Sequence, residues 1–490
     1  MFFFTPIFIF CDLNPKLELK RCINTKKCDN NYENKNNYCC ENEIDIINKK
    51  NKSNKIFVKY NNVEEKIFML KNNTKIFQGD IILNEKQVED LFYYKSDTIN
   101  NNFLNNNFLI DFNIRNKRKV MRNKESKWDF PIPYFIGDGV NEHLVEKAIY
   151  FLEKDTCVKF EKYDLPKVGV SGIYYLYGKG CKSYIGKQPG TIWQEIIIGE
   201  GCNDVGRVQH ETLHALGFFH EQSRFDRDRF ITILLKNVVE EEKYNFLINT
   251  HNESDTLGFA YDYGSIMHYG VYSFSKNKQP TMLPKDILYK KTIGHADKAT
   301  FSDIKMINLH YCSNLCHNEI KCYNGGYQDP KDCNNCKCVE GYGGPDCSKI
   351  VPQEIQCGKF VYRTNDYVES FTVKGAKTCI YHFVAPQNMR VGIKILLSRM
   401  YPNKEKECLS LNAAEIKYWN DKSISGARFC LISQNICFIS HNHHVMIYYR
   451  SNKETNFFSM LYKSVNMSNH NLKQKEIEKR YKKLKKKREK

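Results

Sequence analysis

The chain has 490 residues, which at ~100–200 residues per domain is about two to four domains. Hydrophobic residues are 41% and aromatics 13%, enough for packed cores, which excludes a chain disordered throughout; 26 glycines without a period of three exclude collagen. No apolar run approaches the ~20 residues of a spanning helix, and the net charge of +18 is a poor argument for a nucleic-acid partner, because Lys475 to Lys490 alone carry ten Lys/Arg against three Glu.

In chain order, Met1 to Phe10 is almost wholly apolar, like the core of a signal peptide, and residues 1–20 are assigned as a signal segment. The 20 cysteines agree, since 12 of them fall between Cys312 and Cys437, a density that implies disulfides and an oxidising, extracellular compartment. Residues 24–107 are rich in Asn and Lys and predict a poorly structured segment; Cys11, Cys22, Cys28, Cys39 and Cys40 precede or lie in it without a nameable spacing. Arg115-Asn116-Lys117-Arg118 has the form R-x-K-R that suits a secretory processing protease, so 21–118 reads as a propeptide.

From Trp128 the composition changes. Pro131, Pro133 and Gly137 mark a lead-in loop, and Leu144, Val145, Ala148, Ile149 and Leu152 predict a helix over 141–152. Tyr174 to Leu176 and Ile196 to Ile198 read as short strands. A mixed α/β domain over 119–312 fits. Cys316 to Cys347, within 313–348, is too short for a core of its own and needs disulfides. Over 349–463, runs such as Phe371 to Val373, Val391 to Leu397 and Val445 to Tyr449 predict an all-β sandwich. Residues 464–490 form a basic tail, either solvated or in weak contact with polyanions.

The chemistry lies in His210-Glu211-Thr212-Leu213-His214. Residues four apart share a helix face, so both imidazoles can reach one metal while Glu211 stands beside it without ligating. Gly217 and His220 extend the pattern to H-E-x-x-H-x-x-G-x-x-H. Glycine tolerates the sharp turn that returns a third imidazole to the same ion. Three neutral imidazoles leave one exchangeable position on Zn²⁺, the mark of a catalytic site.

The stretch His210 to Asp228 resembles the signature of the astacin metalloproteases, with Glu221 directly after the third His. Ser265-Ile266-Met267-His268-Tyr269 resembles the family's Met-turn. The resemblance implies an α+β metzincin catalytic domain with a zinc-binding active-site helix, followed by a small disulfide-rich EGF-like module and an all-β CUB sandwich. It implies one Zn²⁺ on His210, His214 and His220, Met267 as an apolar floor, and Tyr269 as a detachable ligand that stabilises the oxyanion. Phe230 stands where many members have Tyr. It also implies the pairs Cys157–Cys312, Cys181–Cys202, Cys316–Cys333, Cys322–Cys336, Cys338–Cys347, Cys357–Cys379 and Cys408–Cys430, leaving Cys437 over. Phe77-Gln78-Gly79-Asp80 is similar to the F-x-G-D motif of astacin propeptides, which makes Asp80 the zinc ligand of a latent zymogen.

The expected function is a secreted zinc endopeptidase in which Glu211 is the general base, acting on protein substrates, with matrix proteins, cuticle proteins and host tissue as the candidates, and with no nucleic-acid partner. Many family members favour an acidic residue after the scissile bond. The alternative is a catalytically inactive adhesion scaffold working through its EGF and CUB modules.

Overall fold

The computed structural model describes residues 76–92, 118–121, 124–190, 192–249, 254–256, 258–295 and 297–466. The signal segment, Arg115 to Lys117, the first five cysteines and the basic tail beyond residue 466 lie outside these.

Within the segment read as poorly structured, residues 76–92 are folded, and here the expectation is corrected. Ile76–Phe77 (β1) and Ile81–Ile82 (β2) form an antiparallel pair, followed by the helix Glu85–Phe92 (α1). Asn84 Oδ1 accepts from Gln87 N at 2.8 Å and Gln87 Oε1 accepts from Asn84 N at 3.0 Å, a reciprocal cap that starts the helix. Phe77, Ile81, Leu83 and Val88 are buried against the rest of the chain. Their order comes from tertiary contact, which a polar composition hides. The basic stretch is also not wholly a linker: Arg118–Met121 (β3) pairs antiparallel with Ser254–Thr256, and Val120 is fully buried.

The strands Ile132–Ile136 (β4), Phe160–Lys162 (β5), Gly172–Leu176 (β6), Cys181–Tyr184 (β7) and Trp193–Ile198 (β8) join β1 and β2 in one sheet of order β1-β2-β7-β8-β6-β4-β5. β4, β5, β6 and β8 run parallel, and β7 runs antiparallel to β8. Glu142–Asp155 (α2) is capped by the Asn141 side chain and buries Val145, Ala148, Ile149 and Leu152 against this sheet and its neighbours; Leu144 is half-buried. Val205–Ala215 (α3) lies beneath, where Tyr175 of β6 meets Thr212 at 2.9 Å.

Below α3 the chain is mostly 3₁₀ turns and loops, closed by Phe301–Tyr311 (α4), whose start is fixed by a reciprocal Thr300–Asp303 cap. Cys157–Cys312 ties the end of α4 to the end of α2, and Cys181–Cys202 ties β7 to the loop before α3. Residues 316–347 carry three disulfides, Cys316–Cys333, Cys322–Cys336 and Cys338–Cys347. The C-terminal part is a sandwich of a five-stranded and a four-stranded sheet, with Cys357–Cys379 and Cys408–Cys430. These are the seven pairs that the resemblance implies. Cys437 is disulfide-bonded as well, and none of the fourteen cysteines in these pairs is its partner.

One continuous core runs from the region below α3, including Tyr261, Tyr263, Tyr289 and Ile293, into the sandwich. At the other side of the sandwich, His382 is buried and its Nδ1 lies 3.1 Å from His444 Nε2, while Tyr342 OH lies 2.8 Å from His444 Nδ1. Burial lowers His382 to about 4; burial, with Lys422 and His382 nearby, lowers His444 to about 2. Unfolded histidines titrate near ~6.5, so between that pH and ~4 the unfolded state holds the extra protons. Stability should therefore fall as pH drops through this window, by about 1.4 kcal/mol per pH unit for His382 alone. Thermal melts from pH 7 to 4.5 should show this slope, and His382→Gln should flatten it.

Candidate metal centre

α3 begins where Asp204 Oδ1 accepts from Arg207 N at 2.8 Å. It ends because Gly217 takes φ +93°, a left-handed conformation that favours glycine. Gly217 N then donates to His214 O at 2.8 Å and Phe218 N to Leu213 O at 3.0 Å. The helix end is held from outside by Trp128 Nε1, which donates to Ala215 O at 2.8 Å, and by Tyr311 OH, which donates to Leu216 O at 2.9 Å. The reversal carries His220 back under α3.

Each imidazole is oriented by its Nδ1. His210 Nδ1 donates to Ile266 O at 2.8 Å, His214 Nδ1 to Phe218 O at 2.7 Å, and His220 Nδ1 to Gln78 Oε1 at 3.0 Å. An oxygen of this kind can only accept, so every Nε2 is left with its lone pair. Those lone pairs converge: Nε2 of His210 lies 3.0 Å from that of His214 and 3.3 Å from that of His220. Asp80 adds a carboxylate, with Oδ2 at 3.3 Å from His210 Nε2 and 3.2 Å from His220 Nε2, and Oδ1 at 3.6 Å from His214 Nε2. Among the described residues, Asp80, His210, His214 and His220 are the group whose ligand atoms all lie within 4.8 Å of one another. Acceptors facing acceptors at this range are unfavourable unless a cation lies among them, and three imidazoles with a carboxylate suit Zn²⁺. Asp80 Oδ1, buried without a hydrogen-bond partner, fits the same reading.

The electrostatics agree. Burial, with the neighbouring imidazoles, holds His214 well below the usual histidine range, so it is neutral. Glu211 is 2% exposed and its Oε2 has no hydrogen-bond partner among the described residues; burial and then the Asp80 charge push it well above the carboxylate range. The Tyr269 ring lies 4.6 Å from that of His220, tilted by 59°, and its hydroxyl donates to the backbone oxygen of Gln78. Met267 is 1% exposed and packs in the core that includes Leu213 and Leu216.

Sequence reasoning missed the residues that hold these. Gln78, fully buried at φ +50°, also donates from Nε2 to Asn249 Oδ1 at 3.0 Å. Gly79 fits because a Cβ there would lie 2.6 Å from the Phe274 ring. Arg224, 1% exposed, donates to both oxygens of Asp226 at 2.9 and 3.0 Å and to Glu221 Oε1 at 2.9 Å. Asp303 accepts from Ser265 Oγ at 2.6 Å and Ile266 N at 3.0 Å. The run Glu221 to Asp226 was the available signal for the first network; the spacing of Thr300 and Asp303 marks Asp303 only as a helix cap, and nothing local marks Gln78. Phe230 stacks on Tyr261 at 4.6 Å and faces Trp419 of the sandwich.

A mixed sheet thus lies above a buried helix, and two imidazoles of that helix converge with His220 from the turn beyond it and with the Asp80 carboxylate on one point. Residues 120–312 match the model of the astacin family of peptidases. The matched part of the chain is thus similar to the astacin peptidases, whose cofactor is zinc. The chain is 33% identical over 401 residues to zinc metalloproteinase nas-34 of Caenorhabditis elegans, a match over 80% of this chain and 62% of that protein. The chain thus spans about three fifths of that relative's length. Among solved structures it is similar to high choriolytic enzyme 1, a hatching enzyme zinc-protease of Oryzias latipes, at 31% identity and TM-score 0.36, over 39% of this chain and 98% of that one. The CUB2 domain of MASP-1 is a neighbour at 14% identity and TM-score 0.18, over 21% of this chain and 96% of that one.

Removing the cation between two buried carboxylates is costly, ~3–5 kcal/mol for a buried pair. Arg224→Met should lower the unfolding free energy by about that much in urea titrations.

Proposed function

We propose that the chain is a secreted zinc endopeptidase held latent by its own segment Phe77–Asp80. The convergence of three lone-pair-bearing Nε2 atoms on one point, with Glu211 on the same helix, carries this reading. His210, His214 and His220 would hold the ion, with Asp80 as fourth donor in the precursor. Zinc bound there supplies a Lewis acid that lowers the pKa of a water to ~7 and polarises a peptide carbonyl.

The remaining chemistry belongs to side chains. Glu211, raised by burial, is suited to take a proton from the attacking water and hand it to the leaving amine. The Tyr269 hydroxyl, kept protonated by burial and by Asp80, is a donor for the developing oxyanion once Gln78 O no longer occupies it. In the precursor, β2 lies parallel to β7, with Ser183 N donating to Asp80 O at 2.9 Å, and Asn84 Nδ2 donates to Gln188 Oε1 at 2.7 Å. These contacts support a segment that covers the cleft and blocks the metal. Cleavage near Arg118 is the proposed release. The module at 316–347 is read as EGF-like and the sandwich as CUB. The adhesion-scaffold alternative is not favoured, because Glu211 and all three imidazoles are in place.

Glu211→Ala should keep one zinc per chain by elemental analysis yet lose at least 1000-fold in kcat on an unfolded protein substrate, a loss on the order of several kcal/mol of barrier; near-normal turnover would rule out its role as base. His220→Ala should lose the metal, whereas Tyr269→Phe should retain it. In a precursor made uncleavable at Arg115, Lys117 and Arg118, Asp80→Ala should uncover chelator-sensitive proteolysis that the parent lacks. Equal silence in both, with zinc bound, would refute latency through Asp80.

A further inference from the structure

We infer that the C-terminal β-sandwich is a working part of the peptidase, with Ser425 a positioning residue that fixes the turn 264–269 under the metal centre. The turn carries the acceptor that orients one imidazole: Ile266 O receives His210 Nδ1 at 2.8 Å. Its next carbonyl, Met267 O, accepts from Glu221 N at 2.8 Å. The turn itself is gripped at Gly264 from the sandwich side. Asp262, 2% exposed, accepts from Gly264 N at 2.8 Å through Oδ1. The same carboxylate accepts from Ser425 N at 3.1 Å and from Ser425 Oγ at 3.2 Å. A Cβ on Gly264 would lie 2.4 Å from Ser425 Oγ, so the Ser425 side chain reaches this backbone only because residue 264 is glycine. A second route reaches the same residue: Ser410 N donates to Asp297, and His295 contacts both Asp297, at 4.0 Å, and Gly264 O.

The surrounding contact is that of an interior. Trp419 Nε1 donates to Asp286 Oδ2 at 3.0 Å, and its ring lies 5.3 Å from Tyr289 and 5.8 Å from Tyr263. On the segment that leads into the sandwich, by contrast, the Ile355 side chain is fully exposed. A module that merely hung from a tether would have no reason to satisfy a buried carboxylate of its neighbour.

The test is made on the full chain loaded with Co²⁺, whose visible absorption reports imidazole geometry. Ser425→Asp sets a second carboxylate against Asp262. It should alter the cobalt band and, after processing, lower kcat at least tenfold with KM within twofold. Ser425→Thr, which keeps the hydroxyl, should retain the parent band. An unaltered band and kcat in Ser425→Asp would overturn the inference. Should that variant fail to fold, a specific protease site inserted at Ile355 decides, in a chain carrying Cys437→Ser so that no disulfide spans the cut. The two cut halves should co-elute at micromolar concentration, and Ser425→Ala should weaken their association at least threefold; halves that separate would overturn it. Absence of cobalt binding would count against the metal reading, while the co-elution result would still decide this one.

Discussion

Three imidazole lone pairs aimed at one point repel one another, and the catalytic half is organised around keeping them there. Each ring is committed by a hydrogen bond on its far side, to Ile266 O, Phe218 O or the Gln78 carboxamide. Because those bonds fix the tautomer, the inward nitrogens cannot relieve the repulsion by taking up donor roles toward one another. Burial of His214 and His220 removes water as a substitute partner. A divalent ion is the economical resolution, and its binding energy is then also folding energy for the loops that carry the three partners.

The support beneath this point is polar and layered. Glu221 and Asp226 are held by Arg224, Ser265 and Ile266 by Asp303, and Gly264 by Asp262. Buried carboxylates are costly unless their acceptor sites are filled, so each such acid fixes the geometry of whatever donates to it. Asp262 draws two of its donors from the sandwich, and the hydrophobic core crosses the same boundary. Catalytic part and sandwich thus share both kinds of interior.

Periodic and motif-borne features were legible in the sequence. The face Val145, Ala148, Ile149, Leu152 and the spacing His210, His214, Gly217, His220 follow from helix geometry and glycine's freedom, which are local rules. The folded state of residues 76–92 was not legible, since two strands of two residues each carry no period and owe their order to β7 and the cleft. Nor were the roles of Asp262, Asp303 and Ser425 under the metal centre, which arise from partners 37 to 163 positions away. Cysteine connectivity became readable only through family resemblance, because spacing leaves many pairings open.

The parallel pairing of β2 with β7 has one more consequence. It caps the rim of a seven-stranded sheet. Were the segment released as proposed, β7 would present a row of unsatisfied amides and carbonyls beside the three imidazoles. Such a row grips any extended backbone through main-chain atoms alone and is indifferent to the side chains it carries. The maturing protein would thereby exchange an intramolecular rung for a vacancy that the backbone of another polypeptide can fill. Breadth of appetite would then reside in the ladder, and discrimination in the side chains around it.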